Sequence, residues 1–523
     1  MTGGEASGAG GRNPWLIAPV VAIAAFMEVL DISIANVALQ HIAGDLAAGQ
    51  SESTWILTSY LVTNAVVLPI SGWLSGVMGR KRFFIACIVG FSVSSLACGL
   101  APTLPLLIAF RAIQGLTGGG LQPSAQAILT DAFPPAKRGM AFALYGMSVV
   151  FAPAIGPTLG GWITDSASWR WVFLINVPVG LLLVPLVTAM VEDPPHAVAE
   201  RLERLKRGVR IDTLGFTLLA LGLGSLQVVL DKGEELDWFG SPLIVVLSAV
   251  CAVCLVAFVI WELGQDDPIV DLRLLGDRTF GTANLLMFTL GVILLGSTVL
   301  LPLMVQELFG YTATDAGLVI TPGGFAIMLV MPVVGRLVSV VDPRILIVAG
   351  LLICASALGI MAGFTPATGY GSFVWARIVQ ALGLSLLFIP INTVAFIGLP
   401  REKSSQASAI INLSRNLGGS VGISVMVSLL WRFGQQHQIV LAGHTAATAP
   451  AYRSLEATLS AAMARHGADA VTALHQAQAT IYGMMGAQAQ LLAFLDDFRV
   501  LAGIFLALAP FVFVMRRPRP GSH

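Results

Sequence analysis

The chain has 523 residues, of which 56% are hydrophobic and 11% charged, with a mean hydropathy of +0.83 and a formal net charge of zero. A water-soluble fold cannot hide so large an apolar fraction, which excludes a soluble enzyme, and a neutral chain lacks the basic excess that draws nucleic acid. No Lys follows a Gly, so the phosphate-binding loop of an ATPase is missing, and the seven His are scattered, four of them between His437 and His475. No cofactor is expected, and the energy for any transport has to come from an ion gradient.

The opening MTGGEASGAGGRNP lacks the basic segment of a signal peptide, so the apolar run behind it reads as a retained span. Runs of roughly 20 apolar residues then predict helices near 15–38, 54–77, 83–101, 104–128, 139–163, 170–190, 212–231, 241–262, 280–303, 313–338, 344–364, 370–398, 404–431 and 497–515. That is an all-α polytopic membrane protein of fourteen helices. Cys87, Cys98, Cys251, Cys254 and Cys354 all fall inside these runs and read as small packing residues rather than metal ligands.

Basic residues fix the expected orientation. With both termini on the cytoplasmic side, most of the 29 Lys and Arg fall inside, among them Arg12, the Arg80-Lys81-Arg82 cluster, Lys137, Arg210, Lys403, Arg516, Arg517 and Arg519. Only Arg170, Lys232, Arg432, Arg453, Arg465 and Arg499 fall outside, while Arg111, Arg377 and Arg415 lie within spans. The resulting division is a cytoplasmic tail (1–14), a first six-helix bundle (15–190), a charged cytoplasmic linker (191–211) and two inserted helices (212–262). A second linker (263–279), a second six-helix bundle (280–515) that contains a long outer loop (432–495), and a tail (516–523) complete it. The linker motif ERLERLKR is amphipathic and suits a surface helix. The outer loop is unusually long and holds Ala- and Gln-rich helical segments such as SLEATLSAAMARHG and AVTALHQAQATIYGMMGAQAQLL, and loops of that length usually bind a partner or are disordered.

The two bundles read as a duplication. Shifting the chain by 266 residues lays FRAIQG (110–115) on ARIVQA (376–381), so that Arg111 meets Arg377 and Gln114 meets Gln380, and lays FPPAKRGMA (133–141) on LPREKSSQA (399–407). Two parallel repeats of six helices are the pattern of a transporter that rocks about a site near the bilayer midplane.

Several motifs then carry a resemblance. LDISIANVAL (30–39), LIAFRAIQGLTGG (107–119), GMSVVFAPAIGPTLGGWI (146–163) and WRWVFLINVPVG (169–180) resemble signatures of the major facilitator superfamily, and within it of the 14-helix drug:proton antiporters of the EmrB/QacA type. The family's loop between helices two and three reads GWLSGVMGRK (72–81) here. Gly72, Gly79, Arg80 and Lys81 match it, but Gly76 and Val77 stand where Asp and Arg are usual, so a charge latch built on that Asp is not expected.

Glu28 and Asp31 are three residues apart and share a helix face, and burying either as an anion costs about 2.5–3.5 kcal/mol on insertion scales. A carboxyl in that position tends to take up a proton, which suits both to proton coupling. A buried Arg111 needs an acceptor, and the resemblance implies that it takes part in the coupling. Gly146, Pro153, Gly156, Pro157, Gly160 and Gly161 in helix five form the gating motif that the resemblance associates with antiport. Candidates for lining a substrate cavity are Asn36, Gln114, Gln122, Gln126, Asn284, Asn392, Asn412, Arg415 and Asn416.

The resemblance implies a proton-driven exporter of amphiphilic drugs in a bacterial inner membrane. It also implies partnership with a periplasmic membrane-fusion adaptor (EmrA-like) and an outer-membrane channel, for which the long outer loop is a candidate contact. A narrow exporter of an endogenous metabolite, fatty acid or siderophore is the alternative within transport, and a non-transporting membrane receptor is the alternative outside it.

Overall fold

A computed structural model describes residues 13–207, 212–444 and 449–515. Both terminal tails (1–12 and 516–523), with Arg12, Arg516, Arg517 and Arg519, lie outside the described residues, as does Arg210. Among the described residues the secondary structure is helical throughout, and fourteen helices are long and apolar enough to cross a membrane.

Helices one to six are Pro14–Asp45, Trp55–Met78, Arg80–Gly99, Leu104–Ala132, Pro135–Ser166 and Arg170–Met190. The inserted pair, helices seven and eight, is Thr213–Lys232 and Pro242–Leu263. Helices nine to fourteen are Arg278–Phe309, Ala313–Leu337, Pro343–Met361, Tyr370–Ala395, Ser404–His444 and Ala470–Leu508.

Local chemistry sets many of the boundaries. Asn13 caps helix one through its side-chain oxygen, with Pro14 at the first helical position; Asp277 and Asp342 cap helices nine and eleven in the same way. Thr312 and Asp315 form a reciprocal capping box at the start of helix ten. Helix four is interrupted, with Leu104–Gly118 followed by Leu121–Ala132. Three consecutive glycines, Gly118 to Gly120, explain the break, and Pro123 adds to it by lacking an N–H.

The stretch 432–495 is helical in the two segments where the sequence predicts helix, and it differs from the expectation only in that helices thirteen and fourteen run into it rather than flank a separate loop. Helix thirteen continues unbroken to His444, helix fourteen already begins at Ala470, and Pro450–Arg465 forms a further helix against it. Its Ala, Gln, Leu and Met content favours helix whether or not lipid surrounds it, so hydropathy alone could not see that the helices run on beyond the apolar core. The linker motif at 191–211 does form the expected surface helix, Pro195–Arg207.

Burial sorts the helices. In the most apolar stretch of helix twelve 72% of residues are buried, against 11% in helix eight, so helix twelve lies centrally and helix eight faces lipid. Helix seven bridges the two halves. Its Asp231 accepts from Thr58 of helix two, while Gln227 donates to Ser420 of helix thirteen at 3.0 Å.

The 266-residue repeat is visible in the contacts between halves. Gln126 donates to Asn392, its counterpart under that offset, so the pseudo-twofold axis passes between helices four and twelve. A Cβ on Gly72 would lie 2.8 Å from Gln406 and 3.1 Å from the Ser405 carbonyl, and one on Gly139 would meet the Gly335 carbonyl at 2.8 Å and Val338 at 3.0 Å. These two close approaches are symmetry mates, because Gly72 and Val338, like Gly139 and Ser405, are one repeat apart.

Candidate transport site

The polar residues of the interior fall into three layers, the first within the N-terminal half. Arg111 is fully buried, and its Nη1 donates to Asp31 Oδ2 at 2.5 Å and to Gln114 Oε1 at 2.7 Å, while Nε donates to the Ile56 carbonyl at 3.2 Å. Its guanidinium lies 4.4 Å from the Tyr60 ring centroid and 5.4 Å from that of Phe173. Asp31 Oδ1 accepts from Gln114 Nε2 at 3.0 Å and from Asn176 Nδ2 at 2.7 Å, and Ser95 Oγ accepts from both amides. Asp31 is thus surrounded by donors, the arrangement that stabilises a buried carboxylate.

Nothing comparable exists at the repeat-related position. Arg377 reaches Gln380 at 2.7 Å, Ser297 at 3.2 Å and Thr298 at 2.8 Å. Ser297 stands where the first half has Asp31, so the second copy keeps the Arg–Gln frame without its carboxylate.

The second layer joins the halves. Glu28 Oε1 accepts from Asn64 Nδ2 at 3.0 Å, and its Oε2 is buried without a hydrogen-bond partner. Beyond it, Arg415 Nη2 donates to Gln122 Oε1 and to Asn416 Oδ1, the latter at 3.3 Å. Asn412 donates to Gln126 Oε1 at 2.7 Å and accepts from the Tyr145 hydroxyl at 3.2 Å, and Gln126 in turn donates to Asn392.

Six of the expected cavity residues, Gln122, Gln126, Asn392, Asn412, Arg415 and Asn416, therefore come together across the interface. Gln114 instead belongs to the Asp31–Arg111 layer. Asn284 accepts from Ser414 at 3.0 Å and donates to the Phe280 carbonyl at 2.9 Å, which ties helix nine to helix thirteen inside one half. Asn36 is exposed on helix one and joins none of these clusters.

Helix five supplies close approaches. A Cβ on Gly156 would fall 2.1 Å from Ser33 Oγ, one on Gly160 would meet Ile34 at 3.0 Å, and one on Gly146 would meet Phe388 at 2.7 Å. Gly161 has no atom within 4 Å of such a position, and the helix runs through Pro153 and Pro157 without a break.

The third layer closes the end that carries the basic clusters. Arg80 pairs with Asp131 and donates to Ser404 of the other half at 3.0 Å. Lys403 pairs with Asp271 at 2.6 Å, and the Lys81 N–H donates to Asp193 at 2.8 Å. Gly79 adopts a positive φ of 94°, which glycine accommodates without strain. Gly76 helps to line a cavity of about 210 Å³ with Arg80, Asp271 and Lys403. Charge pairs at this end therefore use Asp131 and Asp271 as their acids, in place of the Asp absent at position 76, and a motif confined to 72–81 could not point to them. Phe142 and Phe396 stack at 5.6 Å near the same end.

The Major Facilitator Superfamily profile matches residues 21–423. The chain belongs to this superfamily. Membership makes it a membrane transporter rather than an enzyme, as the buried polar layers between two six-helix halves also argue. It is 41% identical over 430 residues to the multidrug export protein EmrB of Haemophilus influenzae, covering 82% of this chain and 83% of that one. It is also 39% identical over 410 residues to EmrB of Escherichia coli K12 (78% of each chain) and to the fatty acid resistance protein FarB of Neisseria gonorrhoeae (78% and 79%). In fold it resembles the human organic anion transporter MFSD10, with a TM-score of 0.61 and 12% identity, covering 95% of this chain and 99% of that one. The proton:xylose symporter XylE gives 0.56 and 16%, covering 91% and 94%.

Sequence reasoning missed Asn64, Ser95, Tyr145 and Asn176. Asn176 alone offered a signal, as an amide inside the otherwise apolar NVPVG run; Ser and Tyr are too common in membrane helices to stand out.

Proposed function

We propose that this transporter exports hydrophobic or amphiphilic drugs in exchange for protons, with the two halves closing alternately on either side of the second polar layer. Identity of about 40% to multidrug export proteins over most of the chain carries the export reading. The proton reading rests on Asp31, Glu28 and Arg111, ionisable side chains held in a core where an uncompensated charge is expensive. One proton crossing 100 mV supplies roughly 2.3 kcal/mol and one pH unit about 1.4, together enough for roughly a 500-fold gradient of a neutral drug.

The distribution of basic residues supports reading the Arg80–Asp131 end as the cytoplasmic one, in a bacterial inner membrane. The helical hairpin formed by the far ends of helices thirteen and fourteen then projects outward. Its exposed Ile439, Val440, Val471, Tyr482 and Met484 offer an apolar face to a periplasmic adaptor that leads to an outer-membrane channel. Similarity to the fatty acid resistance protein gives a second reading, an exporter restricted to fatty acids.

Expression in a bacterium stripped of its own pumps tests the proposal. Resistance to several unrelated amphiphilic drugs is expected, abolished by a protonophore and by Arg111→Ala. Resistance to fatty acids alone would favour the second reading, and resistance that survives the protonophore would overturn proton exchange.

A further inference from the structure

The two halves repeat one frame and fill it differently. In the first, Arg111 donates to Asp31 and Gln114, and Gln114 donates back to Asp31 at 3.0 Å. In the second, Arg377 donates to Gln380 at 2.7 Å and to Ser297 at 3.2 Å, and Gln380 donates to Ser297 at 2.9 Å. Each member is one repeat from its counterpart, so Ser297 occupies the place of Asp31. Its side chain ends in one neutral oxygen where the first half has two that share a negative charge.

Arg377 is therefore a buried cation whose bonded partners, Ser297, Thr298 and Gln380, are all neutral. Such acceptors satisfy donors but leave the charge uncompensated, and a buried guanidinium in that condition favours an anion that can reach it. Two of its five N–H groups, the one on Nε and one on Nη2, have no acceptor among the described residues. A planar fork of this kind can hold both oxygens of a carboxylate at once.

The guanidinium is also less covered than its counterpart. The Tyr60 ring of helix two lies over Arg111, whereas helix ten, the counterpart of helix two, brings only Gly323 to Arg377, where a Cβ would lie 3.0 Å from Arg377 Cγ. Arg377 keeps 5% exposure where Arg111 keeps 0%. The surroundings select the rest of the ligand. Arg377 lies within a span, and Phe373, one turn earlier on helix twelve, packs edge-on against Phe309 and Phe364 with ring centroids 4.9 Å apart. A small hydrated anion gives up its water for a single cation here, whereas an apolar tail gains from the same transfer.

We infer that Arg377, with Ser297 and Thr298, forms an anion site that takes the carboxylate of an amphiphilic anion, such as a long-chain fatty acid, in the position that Asp31 fills with its own side chain in the first half. This deepens the export reading above and rests on it. Arg377 is the group that lets the exporter accept acidic amphiphiles; Arg111, neutralised by Asp31, has no such capacity.

The test measures binding of radiolabelled laurate to the full chain in nanodiscs of zwitterionic lipid. Dodecanesulfonate should displace the laurate, and neither dodecyltrimethylammonium nor acetate should. Arg377→Gln should weaken laurate binding by about tenfold or more, and Arg377→Lys should recover part of the affinity. Ser297→Asp should weaken it as much, by supplying the missing carboxylate from the chain itself, and should melt above the parent. Laurate bound with parental affinity by Ser297→Asp overturns the assignment, which keeps the test decisive should Arg377→Gln fail to fold. Displacement by acetate, or by phosphatidylglycerol added to the nanodisc, overturns an amphiphilic carboxylate as the occupant. Efflux measured on the same protein separates the two readings. A parent that exports cationic drugs but binds no laurate refutes the site alone, whereas one that binds laurate through Arg377 and exports neither laurate nor drug refutes the export reading alone.

Discussion

Replacing Asp31 by Asn strands a charge. Arg111 has no other carboxylate among its hydrogen-bond partners, and it is fully buried, so it cannot turn to water. An Asn at the position could offer its oxygen to Arg111, but its amide would then point at two donors, Gln114 Nε2 and Asn176 Nδ2. Gln114 cannot simply flip, because its oxygen already serves Arg111 at 2.7 Å. Breaking one side of such a buried pair costs about 3–5 kcal/mol. Removing both charges costs less, since the burden lies in the unpaired cation rather than in the lost attraction. Thermal unfolding of Asp31→Asn, Arg111→Gln and the double variant in detergent should therefore show a strong mutual coupling, with the double variant more stable than the two single losses added together predict. Additive losses, or an Asp31→Asn protein as stable as the parent, would refute the pairing.

Two further consequences follow from the packing and the latch. Gly156→Ala puts a methyl 2.1 Å from Ser33 Oγ and 2.4 Å from its Cβ, with no flexible chain to yield, so a destabilisation of about 1–3 kcal/mol is expected. Gly161→Ala, in open space on the same helix, should leave stability and transport near the parent's, and equal effects at both positions would contradict the helix one to helix five contact. At the basic end, Asp271→Lys should impair transport by placing two cations together, and the exchange Asp271→Lys with Lys403→Asp should restore much of it; failure of the exchange to rescue would deny the pair a role in closing that end.

Much of the fold could be read without coordinates because hydropathy reports what lipid demands. Every span needs a long apolar run, and the fourteen runs became the fourteen helices. The repeat was equally legible, and it accounts for the pairing of Gln126 with Asn392 and for the matched approaches at Gly72 and Gly139. What hydropathy could not give was the end of helix thirteen, since residues after 431 are helix formers whose polarity no longer follows the membrane.

The site was legible as a set of residue types rather than as pairs. Arg111 demanded an acceptor, but the choice between Glu28 and Asp31 depends on how helix one turns against helix four, which the side-chain contacts reveal and their spacing does not. In the same way Gln114 and Gln122 both read as cavity residues, yet the glycine break lies between them, and one serves Asp31 while the other meets Arg415. Asn284, sound as a polar residue in a span, turned out to be spent on its neighbour Ser414.

Purified protein reconstituted in liposomes under an imposed pH gradient gives the most direct test, with a fluorescent lipophilic cation and the internal pH followed together. Drug movement accompanied by opposite proton flux, both lost in Arg111→Ala, is the predicted result; drug movement that neither responds to the pH gradient nor carries protons would contradict the account.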